Sequence, residues 1–159
     1  MAIGGKSALG ASVEEGSLGR RSGLKTKGNA ICAAKPDDSV YQALTVMAEK
    51  NIGALVVQDG ERVVGIFSER DYARQVVLKG KASKDTPIRD VMTSRVVFVR
   101  AEQKLEECMA LMTDKRIRHA PVVDERGLVG IVSIGDLVKF TSKQQSYQLQ
   151  YLTEYISAK

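Results

Sequence analysis

The chain has 159 residues, 43% hydrophobic and 27% charged, which suits a soluble globular protein rather than a disordered or membrane-embedded one. No apolar run approaches the roughly 20 residues of a membrane-spanning helix, and the start lacks the apolar core of a secretory signal. The formal charge is +5, but the first 28 residues carry +3 of it through Lys6, Arg20, Arg21, Lys25 and Lys27 against Glu14 and Glu15. That leaves no concentrated basic footprint on the body and argues against nucleic-acid binding.

Residues 1–23 are rich in Gly, Ser and Ala without sustained periodicity, and are expected to form a flexible tail or leader. The pair Arg20 and Arg21 fits a targeting presequence, whereas Glu14, Glu15 and the glycines argue against one. From Ile31 to Asp71 the chain aligns without gaps on itself at an offset of 65 residues. Each unit opens on a short apolar strand, "AICAA" or "VVFVR". A helix follows. In "SVYQALTVMAEKN" the apolar positions are Val40, Ala43, Leu44 and Met47, and in "KLEECMALMTDKR" they are Leu105, Cys108, Met109 and Met112. Spacing of i, i+3, i+4, i+7 marks one face of a helix. Two more strands then pair across a polar turn: "ALVVQ" with "RVVGIFS", and "APVVD" with "LVGIVS". A second helix starts at Ser68 or Ser133.

This order predicts an α/β (α+β) fold: two tandem β-α-β-β-α repeats with pseudo-two-fold symmetry, over 24–80 and 81–142. Between the units Pro87 opens a short helix with Ile88, Val91 and Met92 facing inward. Residues 143–159 form a C-terminal amphipathic helix. Its stripe of Tyr147, Tyr151, Leu152, Tyr155 and Ile156 is expected to pack on the module, with a partner as the alternative.

The most informative feature is a frame written twice, "GIFSERD" at 65–71 and "GIVSIGD" at 130–136. Taken singly, Ser68-x-x-Asp71 and Ser133-x-x-Asp136 are helix-start boxes, in which Ser caps a backbone N–H and the acid reaches back. Repeated at the open ends of two sheets, they also make a usable cleft. An ionised Asp accepts two hydrogen bonds from a vicinal diol such as ribose, and helix N-termini attract anions. Arg116, Arg118 and His119 stand before the middle strand of the second unit, where the first has "NIGA" and only Arg70 nearby. On chemistry alone the second cleft looks better suited to a phosphate.

No nucleophile–base–orienter set appears, and neither a P-loop nor a G-x-G-x-x-G follows a strand, so an enzyme is not expected. The single histidine and the isolated Cys32 and Cys108 offer no metal spacing. They suggest a reducing compartment, the cytoplasm, or the mitochondrial matrix if the source is eukaryotic.

The repeat pattern, the Gly-h-h-Ser-x-x-Asp frame, "RHAPVVD" and the "DVMT" lead-in at Asp90–Thr93 resemble a tandem pair of cystathionine-β-synthase (CBS) domains, a Bateman module. The resemblance covers residues 24–142 and is nearest to small stand-alone CBS-pair proteins of bacteria and plant mitochondria. It implies a non-catalytic regulatory or signal-sensing module with no obligatory cofactor. AMP, ADP or ATP, or else NAD or S-adenosylmethionine, would be a regulatory ligand in the inter-repeat clefts. Carried over by position, Asp71 and Asp136 would hold ribose, with Ser68 and Ser133 beside ribose and phosphate. Arg118 and His119 would face phosphate in the second cleft and Arg70 in the first. Ile31, Cys32, Val97 and Phe98 would touch adenine. A homodimer stacked through its helices is also implied, together with a regulated protein partner. A ligand-independent dimeric interaction protein acting on an enzyme by contact is the alternative. The sequence departs from the family in having Ser for the usual Thr of the frame, and in a shortened lead-in, "SGLKTKG".

Overall fold

A computed structural model describes residues 31–157, so the expected tail and the "SGLKTKG" lead-in lie outside the described residues. In the first unit, β1 (Ala33–Ala34) runs parallel to β2 (Ala54–Asp59), which pairs antiparallel with β3 (Arg62–Ser68). The second unit repeats this with β4 (Val99–Arg100), β5 (His119–Asp124) and β6 (Gly127–Ser133). The correspondence extends to irregularities. A bulge falls between Val57 and Gln58, and 65 residues on another falls between Val122 and Val123. The outer strands β1 and β4 are two residues long, shorter than the five-residue apolar runs that predict them.

Helix α1 (Val40–Lys50) starts at a complete capping box: the Gln42 N–H donates to Ser39 Oγ, and the Ser39 N–H to Gln42 Oε1. It buries Val40, Ala43 and Met47 with Leu44 partly covered, on the face that the spacing marks. Helix α3 (Leu105–Asp114) buries Leu105, Cys108 and Met112 in the same way. Both helices end on a left-handed residue, Asn51 (φ 52°) and Arg116 (φ 54°). In each case the next N–H reaches back five residues, Ile52 to the Met47 carbonyl and Ile117 to the Met112 carbonyl, both at 3.0 Å.

Each unit holds its own apolar core. The first gathers Val40, Met47, Leu55, Val57, Phe67 and Val76, and takes in Ile88 and Val91 from the segment that follows. The second gathers Val99, Leu105, Cys108, Met112, Val122 and Leu137. The segment through Pro87 is tied to the first unit by backbone bonds from Val40 N–H to the Thr86 carbonyl and from Ile88 N–H to the Asp38 carbonyl, both 2.9 Å. It then crosses β3, where Ile66 and Thr93 exchange backbone hydrogen bonds of 3.0 and 2.9 Å. This crossing explains Gly65: a Cβ there would press on the Met92 sulfur and stand 3.1 Å from the Thr93 carbonyl oxygen.

After β3, α2 (Glu69–Asp71) makes one turn, continues as a π-helical stretch (Tyr72–Val77) and stops at Gly80, whose φ is +65°. The 65-residue counterpart of Gly80 is Gln145, and after Gly135 in the first turn no Gly or Pro occurs, so α4 runs unbroken over Ile134–Ser157. The expected separate C-terminal helix is therefore the second half of α4. Four residues of the apolar stripe do not pack on the module: Tyr147 and Tyr151 are each 71% exposed and Ile156 72%, and Leu152 is exposed too, while the Tyr155 side chain lies outside what the structure describes. The helix keeps going because nothing stops it, and at about 1.5 Å per residue it outruns the unit it starts on. Among the described residues no helix is long and apolar enough to cross a membrane, and no group of His, Cys, Asp and Glu side chains could hold a metal ion.

Cys108 is fully buried in the second core, and desolvation, helped by Glu107, pushes its thiol up to about 11. Cys32 is half-buried. A thiol reagent is therefore expected to label one cysteine, Cys32, in the native protein and both after denaturation, as counted by mass spectrometry. Labelling of native Cys108 would contradict this packing.

Candidate functional site

Both frames form the helix-start box that their spacing predicts. The Asp71 N–H donates to Ser68 Oγ at 3.2 Å, and the Ser68 N–H donates to Asp71 Oδ2 at 2.9 Å. In the second unit the Asp136 N–H reaches Ser133 Oγ at 3.0 Å, and the Ser133 N–H reaches Asp136 Oδ2 at 3.1 Å. The frames differ in what else they hold. Asp71 Oδ2 also accepts from Ser68 Oγ at 3.0 Å, and Asp71 Oδ1 accepts from Thr93 Oγ1 at 3.1 Å. A carboxylate offers roughly four acceptor sites, so the protein occupies most of those on Asp71. Among the described residues Asp136 accepts only from the Ser133 N–H.

The two units meet in a groove lined by Ser68, Arg70 and Asp71 from the first and by Arg116, Arg118 and His119 from the second. Gly53, Ile66, Glu69, Thr93 and Ile117 complete it. Pseudo-symmetry explains this lopsided arrangement. The counterpart of Arg118 is Gly53, and that of His119 is Ala54. A Cβ on Gly53 would stand 3.3 Å from His119 Nε2, so the missing side chain in the first unit is the room that the His119 ring of the second uses. Arg70 crosses the same seam, its Nη1 donating to the Arg116 carbonyl at 3.2 Å.

Arg118 and His119, expected beside the second frame, thus line one groove with the first frame. His119 also pairs with Ser133 in the β5–β6 register, and the Ile134 N–H donates to the Arg118 carbonyl at 2.8 Å. Ser133 and Asp136 themselves do not line the groove that holds Arg70 and Arg118. Ile31, Cys32, Val97 and Phe98 also lie off it; Cys32 packs on the first core, and Phe98 is exposed. The apolar surfaces within it are Ile66 and Ile117.

Sequence reading overlooked Gly53, Ile66, Glu69, Thr93 and Ile117. The 65-residue register could have found Gly53, since it marks where two large side chains of one unit face two small ones of the other. Arg116 stands out for a different reason. A left-handed conformation costs a residue with a Cβ about 1–2 kcal/mol, and Asn tolerates it better, as at Asn51. Arginine is held there against that cost, lining the groove, with its carbonyl accepting from Arg70.

Burial lowers the pKa of His119 below its usual value. The carboxylates of Asp136 and Glu69 act in the opposite direction, while Arg118 and Arg70 reinforce the burial. At neutral pH the ring is therefore chiefly neutral and offers a hydrogen bond rather than a charge. A folded-state pKa below the unfolded value of about 6.5 means that the unfolded chain takes up the proton first. The stability linked to His119 is thus present above about pH 6.5 and is lost as pH falls through the lowered pKa. Denaturant melts from pH 7.5 to 5 should show this decline, and His119→Gln should flatten it. An equally steep decline in the variant would remove His119 as its source.

Comparison with known proteins places this geometry. A family model for the CBS domain matches residues 31–78 and 88–143. The mitochondrial CBS domain-containing protein CBSX3 of Arabidopsis thaliana is 44% identical over 125 residues, spanning 76% of this chain and 61% of that protein. The chain therefore matches about three fifths of that relative's length. A CBS-domain protein structure from Burkholderia ambifaria MC40-6 superposes with TM-score 0.71 at 48% identity, covering 77% of this chain and 91% of its own. The CBS domain pair of protein MJ0100, solved with 5′-methylthioadenosine and S-adenosyl-L-methionine, shares the fold with TM-score 0.65 at 24% identity, covering 76% and 95%.

Proposed function

Given that the chain belongs to the CBS-domain family as a tandem pair, we propose that it is a non-catalytic regulatory module that binds an adenosyl nucleotide in the groove between its repeats. One observation carries this reading: Ser68, Arg70 and Asp71 of one repeat face Arg116, Arg118 and His119 of the other across a single groove. Each group has a task there. The free acceptor capacity of Asp71 takes a ribose hydroxyl, the guanidiniums of Arg70, Arg116 and Arg118 meet phosphate, and Ile66 and Ile117 offer apolar surface to the base. His119, neutral and set between the repeats, supplies a hydrogen bond. Asp136, with more unused acceptor capacity than Asp71, is the candidate clasp of a second site at the other frame. The MJ0100 pair, solved with two adenosyl compounds, supports the ligand class.

A ligand bridging the repeats shifts their arrangement only as far as it binds one arrangement better than another. Residues contributed by both repeats to one groove are what such a preference requires. The readout is the thermal midpoint of the full chain with AMP, ADP, ATP, NAD and S-adenosylmethionine. A saturating ligand at one hundred times its Kd should add about 2.7 kcal/mol. No shift with any of them would favour the second reading, a dimeric protein acting by contact. That reading draws on the exposed Tyr147, Tyr151, Leu152 and Ile156 of α4, an apolar face without a partner among the described residues. The same face supports the homodimer and the regulated protein partner that we include in the proposal. The cytoplasm, or the mitochondrial matrix by analogy with the plant relative, is the proposed setting.

A further inference from the structure

Beside the frame groove, and sharing its Arg70, Arg116 and Arg118, lies a second hollow that runs to the first turn of α4. It adds Arg74, Met112, Thr113 and Ile134, and no carboxylate lines it. Four arginines therefore line one hollow. Among the described residues, none of the four makes an ion pair with a carboxylate, unlike Arg89 and Arg100. Glu69 lines the frame groove, on the side of Gly53, and does not line this second hollow. Arg70 and Arg74 are four apart, a spacing at which like charges on a helix repel. Such a concentration of unmatched positive charge is relieved by an anion of matching charge.

We propose that this hollow receives the phosphate chain beyond the first phosphate, so that the site selects adenosyl ligands bearing two or more linked phosphates, with Arg74 as the discriminating residue. The inference rests on the adenosyl reading of the frame groove. A monophosphate carries at most two negative charges and is satisfied by the arginines beside the frame. A diphosphate or triphosphate carries three or four and extends to Arg74. S-adenosylmethionine presents a sulfonium cation and 5′-methylthioadenosine no charge, so neither suits this chain's groove. The preferred ligand therefore differs from the two compounds solved with the MJ0100 pair, although the fold is shared.

The test is calorimetric titration of the full chain and of Arg74→Gln with AMP, ADP, ATP, S-adenosylmethionine and inorganic tripolyphosphate at fixed ionic strength. ATP and ADP are expected to bind roughly tenfold or more tighter than AMP, and Arg74→Gln to remove that difference while leaving AMP within about twofold. S-adenosylmethionine should give no heat of binding. AMP binding as tightly as ATP, or an Arg74→Gln variant that weakens both equally, overturns the inference and leaves the adenosyl reading intact. Tripolyphosphate binding that Arg74→Gln weakens, with no nucleotide preferred over it, would sink the adenosyl reading and keep the phosphate role of Arg74. Absence of all binding removes both.

Discussion

Gly65→Ala is expected to lower the stability of the chain by about 1–3 kcal/mol, the range for forcing atoms into a packed site. The new methyl would meet the Met92 sulfur, which can swing aside, and the Thr93 carbonyl oxygen at 3.1 Å, which cannot without breaking the two backbone bonds between Ile66 and Thr93. Met92→Ala should relieve only the first contact, so a double-mutant cycle should show partial rescue on the order of 1 kcal/mol. The site should feel the change too. Thr93 donates to Asp71 Oδ1, and a displaced segment releases that bond. Denaturant melts of the four proteins in the cycle check this. An unchanged midpoint for Gly65→Ala would mean that the segment does not lie against β3 as described.

Asp71→Ala is expected to weaken adenosyl binding by about 10- to 100-fold, the effect of losing a charged acceptor. It also removes the reciprocal bond to the Ser68 N–H and should cost about 0.5–2 kcal/mol of stability. The two consequences separate with Asp71→Asn, whose amide oxygen can still accept from Ser68 N–H but which lacks the charge and one acceptor. Asn should preserve most of the stability and lose most of the affinity. If affinity instead follows stability through both variants, Asp71 is a cap and nothing more.

Much of the fold was legible because the chain states it twice. The register of β2 with β3, the buried faces of α1 and α3 and both helix-start boxes follow from local pattern, and the offset of 65 residues checks each against a second copy. The helix expected over 143–159 is continuous with the one that starts at the second frame, because no Gly or Pro falls between Asp136 and Ser157 to end it. Its exposed stripe shows that an apolar period records what a face could bury, not that the same chain buries it.

The polar residues Ser68, Arg70, Asp71, Arg116, Arg118 and His119 of the groove were legible, but their grouping was not. Arg118 and His119 were expected to serve the frame of their own unit, a reading natural to contacts close in sequence. The structure sets them across the seam with Ser68 and Asp71, because Gly53 leaves the room. That pairing arises from the packing of one unit on another and has no local signature. The π-helical stretch at Tyr72–Val77 was equally hidden, and it carries Arg74. Burial, which sequence alone does not report, lowers the pKa of His119 and makes it a hydrogen-bonding rather than a charged member of the groove.

The central claim is that a nucleotide sits between the repeats and is held by residues of both. Native mass spectrometry of the full chain titrated with ATP tests it most directly, alongside Asp71→Asn in the first repeat and Arg118→Gln in the second. The account requires a nucleotide-bound species for the native sequence, and its loss or strong weakening in each variant alone. A bare protein at saturating nucleotide, or binding that neither variant alters, would contradict it.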